Sequence, residues 1–354
     1  MRLKVKILEF LAGKPIAILH RLTARKMNTH VGDRILISKN EISIIAVVDT
    51  AEGFIERDEL AVSNEVVSSL NLKKGESLEV SLTEKPETTS IIKKKMDGHS
   101  LSKEEIEKII KNIVRNSLSE AEVAFYVSAI YKNGMNNKET EDLIEAMVST
   151  GQRLSFKGKI VDKHSIGGIA ANRTTPIVVS ICSSAGLIMP KTSSRAITSA
   201  AGTADTIESI AKVEFSAEEI KEIVRKHGAC MVWGGSLGLS PADDKLIQVE
   251  RVLDIDPEAQ LLASVLSKKI SVGSKYVLID IPYGKSAKVD KKKGLRLKEK
   301  FEYLGKRFGL KIKCVLTSGE SPIGRGIGPI LEIIDVIKVL ERKQDAPKDL
   351  EEKS

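Results

Sequence analysis

Two stretches of this 354-residue chain are poor in large apolar side chains, and each directly follows a short strand-like run. The first is "DKHSIGG", Asp162 to Gly168, entered from a strand predicted over Lys159 to Asp162. The second is "KTSSRAITSAAGTADTIES", Lys191 to Ser209, entered from a strand predicted over Leu187 to Pro190. A packed core gains little from such segments. Between a strand and a helix, however, they bring backbone N–H groups, hydroxyls and cations to a strand end, where an anion can bind. Lys163 supplies a full charge and Ser165 a donor; the second stretch supplies eight Ser or Thr residues, Arg195 and Gly202. On spacing alone, an ordinary tight turn and a plain surface loop stay open as alternatives. The neighbouring pattern continues the strand–turn–helix alternation. Pro176 to Ala185 reads as an apolar helix, Ser216 and Glu219 as a capping box for a helix closed by Gly228, and Tyr276 to Ile281 as a buried parallel strand.

The front of the chain has a different period. Arg34 to Ile37, Ile42 to Val48 and Glu79 to Leu82 read as short strands between turn-formers, similar to the repeats of double-psi β-barrels. From Met96 the period becomes 3.6, with capping signals at Ser102/Glu105 and Ser119/Glu122 and a third helix from Asn137 to Gly151. The predicted fold class is multi-domain α+β and α/β. A β-rich, barrel-like domain occupies residues 1–85, a helical lobe 96–152 plus 241–272, and an α/β phosphate-binding lobe with a mainly parallel sheet 157–240 plus 273–340. Residues 341–354 read as a charged tail, and the Lys/Arg-rich stretch at 290–300 as solvated surface.

Composition narrows the function classes. Lys plus Arg exceeds Asp plus Glu by 56 − 48 = 8, a field that suits anionic ligands without choosing among them. Aromatic content of 4% and the lack of aromatic–basic interleaving argue against a nucleic-acid stacking platform. No apolar run approaches the roughly 20 residues that cross a bilayer, so no membrane partner is expected. Cys182, Cys230 and Cys314 are too scattered for a zinc site or disulfide scaffold, and no metal is expected. "GKS" at Gly284 to Ser286 lacks the upstream glycine of a P-loop, and "GRGIG" at Gly324 to Gly328 has the wrong spacing for a dinucleotide fingerprint.

Together, "DKHSIGG", "TSSRAITSAAGTADTIES", "SPADDK" at Ser240 to Lys245 and "ASVLSKK" at Ala263 to Lys269 resemble the thymidine phosphorylase family of nucleoside phosphorylases, in the same order and spacing. The resemblance extends from about Met96 to Leu340. The β-rich domain in front is similar to that of the family's archaeal, AMP-specific branch. The resemblance implies a pentosyltransferase that cleaves AMP, with CMP and UMP as further candidates, to free base and ribose 1,5-bisphosphate. Inorganic phosphate is then a co-substrate, and no cofactor is implied. It places phosphate on Lys163, Ser165, Thr174, Ser193 and Thr203, with His164 beside them. It places AMP on Gly168, Ser194, Arg195, Ala196, Ile197, Thr198, Ser199, Thr203, Ser264 and Lys288. Asp256 becomes the catalytic proton donor. It further implies a cytoplasmic homodimer or larger homo-oligomer, and family members that continue beyond "PKDLEEKS".

Two departures bear on the base. Pyrimidine-specific members carry an arginine in a run reading Arg-Asp-Val-Thr, where this chain has "ERVLDIDPEAQ" with Asp256; in place of a glycine-rich segment it has "IPYGKSAKV", with Lys285 and Lys288. The first favours a purine nucleotide, and the second supplies a partner for a 5′-phosphate; the alternative is a thymidine or pyrimidine nucleoside phosphorylase. An aspartate of ordinary pKa, about 3.9, acts as an acid at neutral pH only if it is desolvated or hydrogen-bonded in its neutral form. The neighbours Ile255 and Leu261 predict such an apolar setting for Asp256.

Overall fold

Alternating apolar residues build the front of the chain. The computed structural model describes residues 1–83, 87–196 and 201–354. Strands β1 (Arg2–Ile7), β2 (Ile16–His20), β3 (Arg34–Lys39), β4 (Ile42–Ala51), β5 (Glu59–Val62) and β6 (Ser77–Leu82) close into a barrel in the order β1-β5-β2-β4-β3-β6. β1 runs parallel to β5 and β2 to β4; the other neighbours are antiparallel. Every second side chain points inward, as Leu3 and Val5, Ile35 and Ile37, and Leu78 and Val80 show, and closure leaves no sheet edge. The short helices α1 (Arg21–Lys26) and α2 (Asn64–Leu70) connect strands. Three of the six strands are the predicted runs; β1, β2 and β5 are additional.

The helices that follow are α3 (Thr88–Met96), α4 (Lys103–Val114) and α5 (Glu120–Asn133). α4 begins where the Ser102 N–H donates to Glu105 Oε2 at 2.7 Å and the Glu105 N–H donates to Ser102 Oγ at 3.3 Å. The same reciprocal pair, Ser119 with Glu122, opens α5. The chain divides into two compact units, Met1–Ala129 and Ile130–Ser354, a division inside α5 and not at the end of the barrel.

The second unit carries α6 (Asn137–Ser149) and five strands: β7 (Val161–Ser165), β8 (Met189–Ser193), β9 (Ala229–Trp233), β10 (Tyr276–Tyr283) and β11 (Lys311–Ser318). β11-β10-β7 and β8-β9 are parallel sheets joined by the Ile160–Ile188 bridge. The spatial order is therefore β11-β10-β7-β8-β9. The chain winds one way from β7 and the other way from β10, so between them the strand order reverses, and ligands bind in the crevice that such a reversal opens at the carboxyl ends. Crossovers run through α7 (Thr174–Ser184), α8 (Thr203–Glu208), α9 (Ala217–His227) and α12 (Lys291–Arg307); α10 (Pro241–Leu253) and α11 (Glu258–Ser271) interrupt them, and α11 packs along α6.

Two charge-rich stretches are mostly exposed, as expected, but each also forms a helix. The Lys/Arg-rich stretch at 290–300 opens α12, capped by Asp290, and its apolar positions Leu297, Phe301 and Leu304 are buried beside β10 and β11. Full burial of a side chain such as Phe301 is worth about 1.5–3 kcal/mol, enough to hold a helix whose other face is cationic. α13 (Pro329–Leu340) precedes the expected tail, whose charged residues are mostly exposed but which is partly anchored. Residues 348–353 form α14 (Lys348–Lys353), and Leu350 and Ala346 join a core with Val336 and Val339 of α13.

Candidate active site

β7 extends three residues beyond its predicted end, so Lys163, His164 and Ser165 belong to the strand and not to the turn. Alternation then sorts them: Lys163 and Ser165 face one side of the sheet, Asp162 and His164 the other. On the first side the buried Lys163 ammonium donates to Thr174 Oγ1 at 2.6 Å, in the first turn of α7. Thr174 Oγ1 donates to Asn172 Oδ1 at 3.3 Å. The Asn172 amide donates at 3.3 Å to both Ser165 Oγ and Asp280 Oδ2. Burial pushes the Lys163 ammonium down to about 8, against the pull of Asp280. Burial also works against ionisation of Asp280, but the Thr317 hydroxyl and the Lys353 and Lys163 charges hold its carboxyl below the usual range. A cation, two hydroxyls and the open N–H groups of a helix start thus converge at the reversal point, which is the equipment for an oxyanion.

The second predicted stretch is only partly described. Ser193 ends β8, and its Oγ is buried without a hydrogen-bond partner, an orphaned donor next to the strand that carries Ser165. Ser194 is exposed, and its carbonyl accepts from the Ala204 N–H at 3.2 Å. Asp205 Oδ2 accepts from the N–H groups of Ala196 at 2.7 Å and Gly202 at 2.8 Å, fastening the loop to the start of α8, where Thr203 is the first residue. Ile197, Thr198 and Ser199 lie outside the described residues. Arg195 is expected as a cation for a phosphate-bearing ligand. Its guanidinium is paired with Glu208, with Glu214 at 3.0 Å and with Asp205 at 3.5 Å, and it stacks 4.6 Å from the Trp233 ring centroid.

The opposite face of β7 holds charges that the sequence reading did not connect. Asp162 pairs with Lys269 of α11 at 2.8 Å and lies 3.7 Å from Lys191 of β8, all three buried. Burial and the Lys269 charge push the Lys191 ammonium down to about 7. His164 is held well below its ordinary value by burial and by Lys269 and Lys191, so its ring is neutral at pH 7. Nothing in the residue spacing signals this cluster, because its members come from three separate elements.

Lys288 sits over the glycines that follow β7. Gly168 has φ +93°, and a Cβ there would meet the Lys288 backbone nitrogen at 2.6 Å and its Cγ at 2.9 Å; only glycine allows this approach. The Lys288 ammonium donates to Asp256 Oδ2 at 2.7 Å. The Asp256 side chain is 40% exposed and salt-bridged, not desolvated as its apolar neighbours predict. Asp256 lies just past the left-handed Asp254 that ends α10, which turns the chain toward water. Buried acids in this region, unrecognised in the sequence, include Glu250 of α10. For Glu250 the environment opposes ionisation. Its carboxyl is pushed up to about 8 by burial and by the Asp243 and Asp256 charges, and its Oε1 lacks a hydrogen-bond partner. Ser264 donates to Asp243 Oδ2 at 2.9 Å, an oxygen it shares with Lys268, while Gln260 donates to Asp243 Oδ1 at 3.1 Å.

Among the described residues no cluster of His, Cys, Asp and Glu could hold a metal ion, and no helix is long and apolar enough to cross a membrane. Residues 89–151 match the helical bundle domain, and residues 157–296 the a/b domain, of the glycosyl transferase family. Over 342 residues the chain is 50% identical to the AMP phosphorylase of Pyrococcus horikoshii, across 96% of this chain and 68% of the relative. The chain belongs to the AMP phosphorylase family. The family's protein from Methanococcoides burtonii is 44% identical over 356 residues, across 100% of this chain and 70% of its own length. Among solved structures, anthranilate phosphoribosyltransferase from Thermus thermophilus shares the fold, with a TM-score of 0.59 at 16% identity over 73% of this chain and 85% of that one.

Proposed function

We propose that this chain catalyses the phosphorolysis of AMP to adenine and ribose 1,5-bisphosphate, with CMP and UMP as further candidate substrates. The observation that carries the reading is the buried Lys163–Thr174–Asn172–Ser165 network at the reversal of strand order, with Lys288 laid over the adjoining glycines toward Asp256. Lys163, Ser165, Thr174, Ser193 and Thr203 hold inorganic phosphate. AMP is held by Gly168, Ser194 to Ser199, Thr203 and Ser264, with Lys288 on its 5′-phosphate. A phosphate oxygen forms a bond to C1′ while the glycosidic bond breaks and its electron pair passes to the base. Asp256 donates a proton to the base, and the proton that HPO₄²⁻ gives up on becoming an ester restores the balance. Held cations and hydroxyls match the charge of the nucleophile throughout.

This chemistry needs no organic cofactor or metal. A cytoplasmic location, where AMP and phosphate are both available, and a homo-oligomeric state, which the family resemblance favours, belong to the same proposal. The AMP reading is preferred to thymidine or uridine cleavage because the pyrimidine-holding arginine is replaced by the segment containing Asp256. Chromatographic detection of base release from AMP, thymidine and uridine, with and without phosphate, tests it. Adenine from AMP in the presence of phosphate alone is expected. Asp256→Asn should lower kcat by about 100-fold or more; near-normal turnover would remove Asp256 from the mechanism.

A further inference from the structure

The polar network around Lys163 extends further than the proposed phosphate ligands, to α14. Asp280 of β10 is the register partner of Ser165 on β7 and brings a buried carboxyl beside the residues that are proposed to hold inorganic phosphate. A carboxylate there opposes a phosphate dianion and competes with it for the charge of Lys163, unless a second cation answers it. That cation is Lys353 of α14. Its ammonium lies 3.4 Å from Asp280 Oδ2 and donates to Thr317 Oγ1 at 3.2 Å, and the Thr317 hydroxyl in turn donates to Asp280 Oδ1 at 2.6 Å. We propose that Lys353 is a positioning residue of the phosphate site: it neutralises Asp280 and so leaves the charge of Lys163 to the nucleophile. The inference rests on the proposed AMP phosphorolysis and deepens it.

Packing puts the lysine there. Leu350 anchors α14 in the core with Val336 and Val339, and the helix also packs against α7, whose first turn carries Thr174. Residues three apart share a helix face, so the anchor at Leu350 turns Lys353 inward, and its side chain is only 15% exposed. The charges on this side of the sheet then sort into pairs. Arg173 is taken by Glu332 and the Ala201 carbonyl, and Asp280 by Lys353. Among the described residues Lys163 forms no salt bridge; its ammonium meets the hydroxyls of Thr174 at 2.6 Å and Thr175 at 3.5 Å. Lys163 is thus the cation left over for an anionic ligand. Asp280 also orients that ligand's surroundings, because the Asn172 amide divides its two donations between Asp280 Oδ2 and Ser165 Oγ. Burial works against ionisation of Asp280, but Thr317 and Lys353 hold its carboxyl below the usual range, so at neutral pH it is a charged and matched acceptor. Without Lys353 a buried anion would be left without its partner, and it would draw on the Lys163 charge to which it already couples.

The test uses the full chain as wild type, Lys353→Met, Lys353→Arg, and Lys353→Met combined with Asp280→Asn. Each is titrated calorimetrically with inorganic phosphate alone and assayed for adenine release with phosphate and AMP varied in turn, at a temperature where melting curves show it folded. Lys353→Met should raise the Kd and the KM for phosphate by about tenfold or more, while the KM for AMP moves by less than about threefold. Lys353→Arg keeps the charge and should stay near the wild type. Removing both charges together should return the phosphate Kd to within about threefold of the wild-type value, a recovery that the loss of a merely structural contact would not allow. If Lys353→Met does not fold, Lys353→Gln, which keeps a donor without the charge, takes its place. An unchanged phosphate Kd in the uncharged variant overturns the proposal. A double variant as weak as the single one also overturns it, since the lysine would then act without Asp280. If the wild type binds phosphate but releases no adenine from AMP, the phosphorolysis reading fails and the calorimetric comparison still decides the role of Lys353. If it binds no phosphate, both fall together.

Discussion

Lys163 shows how one buried side chain sets a pH limit. With the ammonium pushed down to about 8 by burial, the group is charged below that pH and neutral above it. The KM expressed as HPO₄²⁻ should be flat below pH 8 and rise about tenfold per pH unit above it, as the cation that meets the anion disappears. Lys163→Arg, which stays charged, should remove the rise. A flat profile in the wild type would show that Lys163 does not meet the phosphate. For stability the sign is the reverse of that for binding. The unfolded lysine titrates near about 10.4, so between pH 8 and that value the unfolded chain binds more protons, and the contribution of Lys163 to stability grows as pH rises. The type of chemistry at this position was legible in the sequence, since lysine and serine around a glycine turn suit an anion whatever the fold. Its environment was not. The polar run Lys163–Ser165 looked like the end of a strand, yet it continues β7, because both faces there meet buried polar groups from elements far along the chain.

At the scale of elements, capping signals were the most legible feature. Ser102, Ser119 and Ser216 each open the helix that their spacing with Glu predicts, because a capping box is satisfied within four residues and needs no tertiary partner. β1 was harder: "RLKVKI" alternates as a strand should, but strand identity depends on partners, here β5 and β6, that local sequence does not reveal. α14 was hidden for a related reason, since one buried leucine in a charged run anchors it. The turn after β7 makes the clearest prediction at this scale. Gly168→Ala puts a Cβ into the Lys288 backbone at a positive φ, and should cost about 1 kcal/mol or more in stability while displacing Lys288. Thermal melting together with KM for AMP reads both effects; an unchanged KM would separate Lys288 from the nucleotide site.

Over the unit Ile130–Ser354, apolar side chains are exposed on α13 and on β10, among other places. The outer side of α13 exposes Ile330, Leu331 and Ile334. The β10–β11 face with Tyr276 and Leu278 borders a cavity of about 450 Å³ with Val178 and Cys182 of α7. Patches of this kind mark association surfaces. For the proposed homo-oligomer, a contact through α13 predicts that Ile330→Glu with Ile334→Glu lowers the sedimenting mass toward the monomer while changing stability by no more than about 0.5 kcal/mol per site, as for exposed positions generally. Unchanged sedimentation would place any contact elsewhere. All of these surfaces, and every described residue of the candidate site, lie in the unit Ile130–Ser354, so the account stands or falls on the chemistry of that unit. The most direct measurement is the product balance from AMP with and without inorganic phosphate. The account predicts adenine and ribose 1,5-bisphosphate in equal amounts only when phosphate is present, whereas adenine released at the same rate without phosphate, or none released with it, would contradict it.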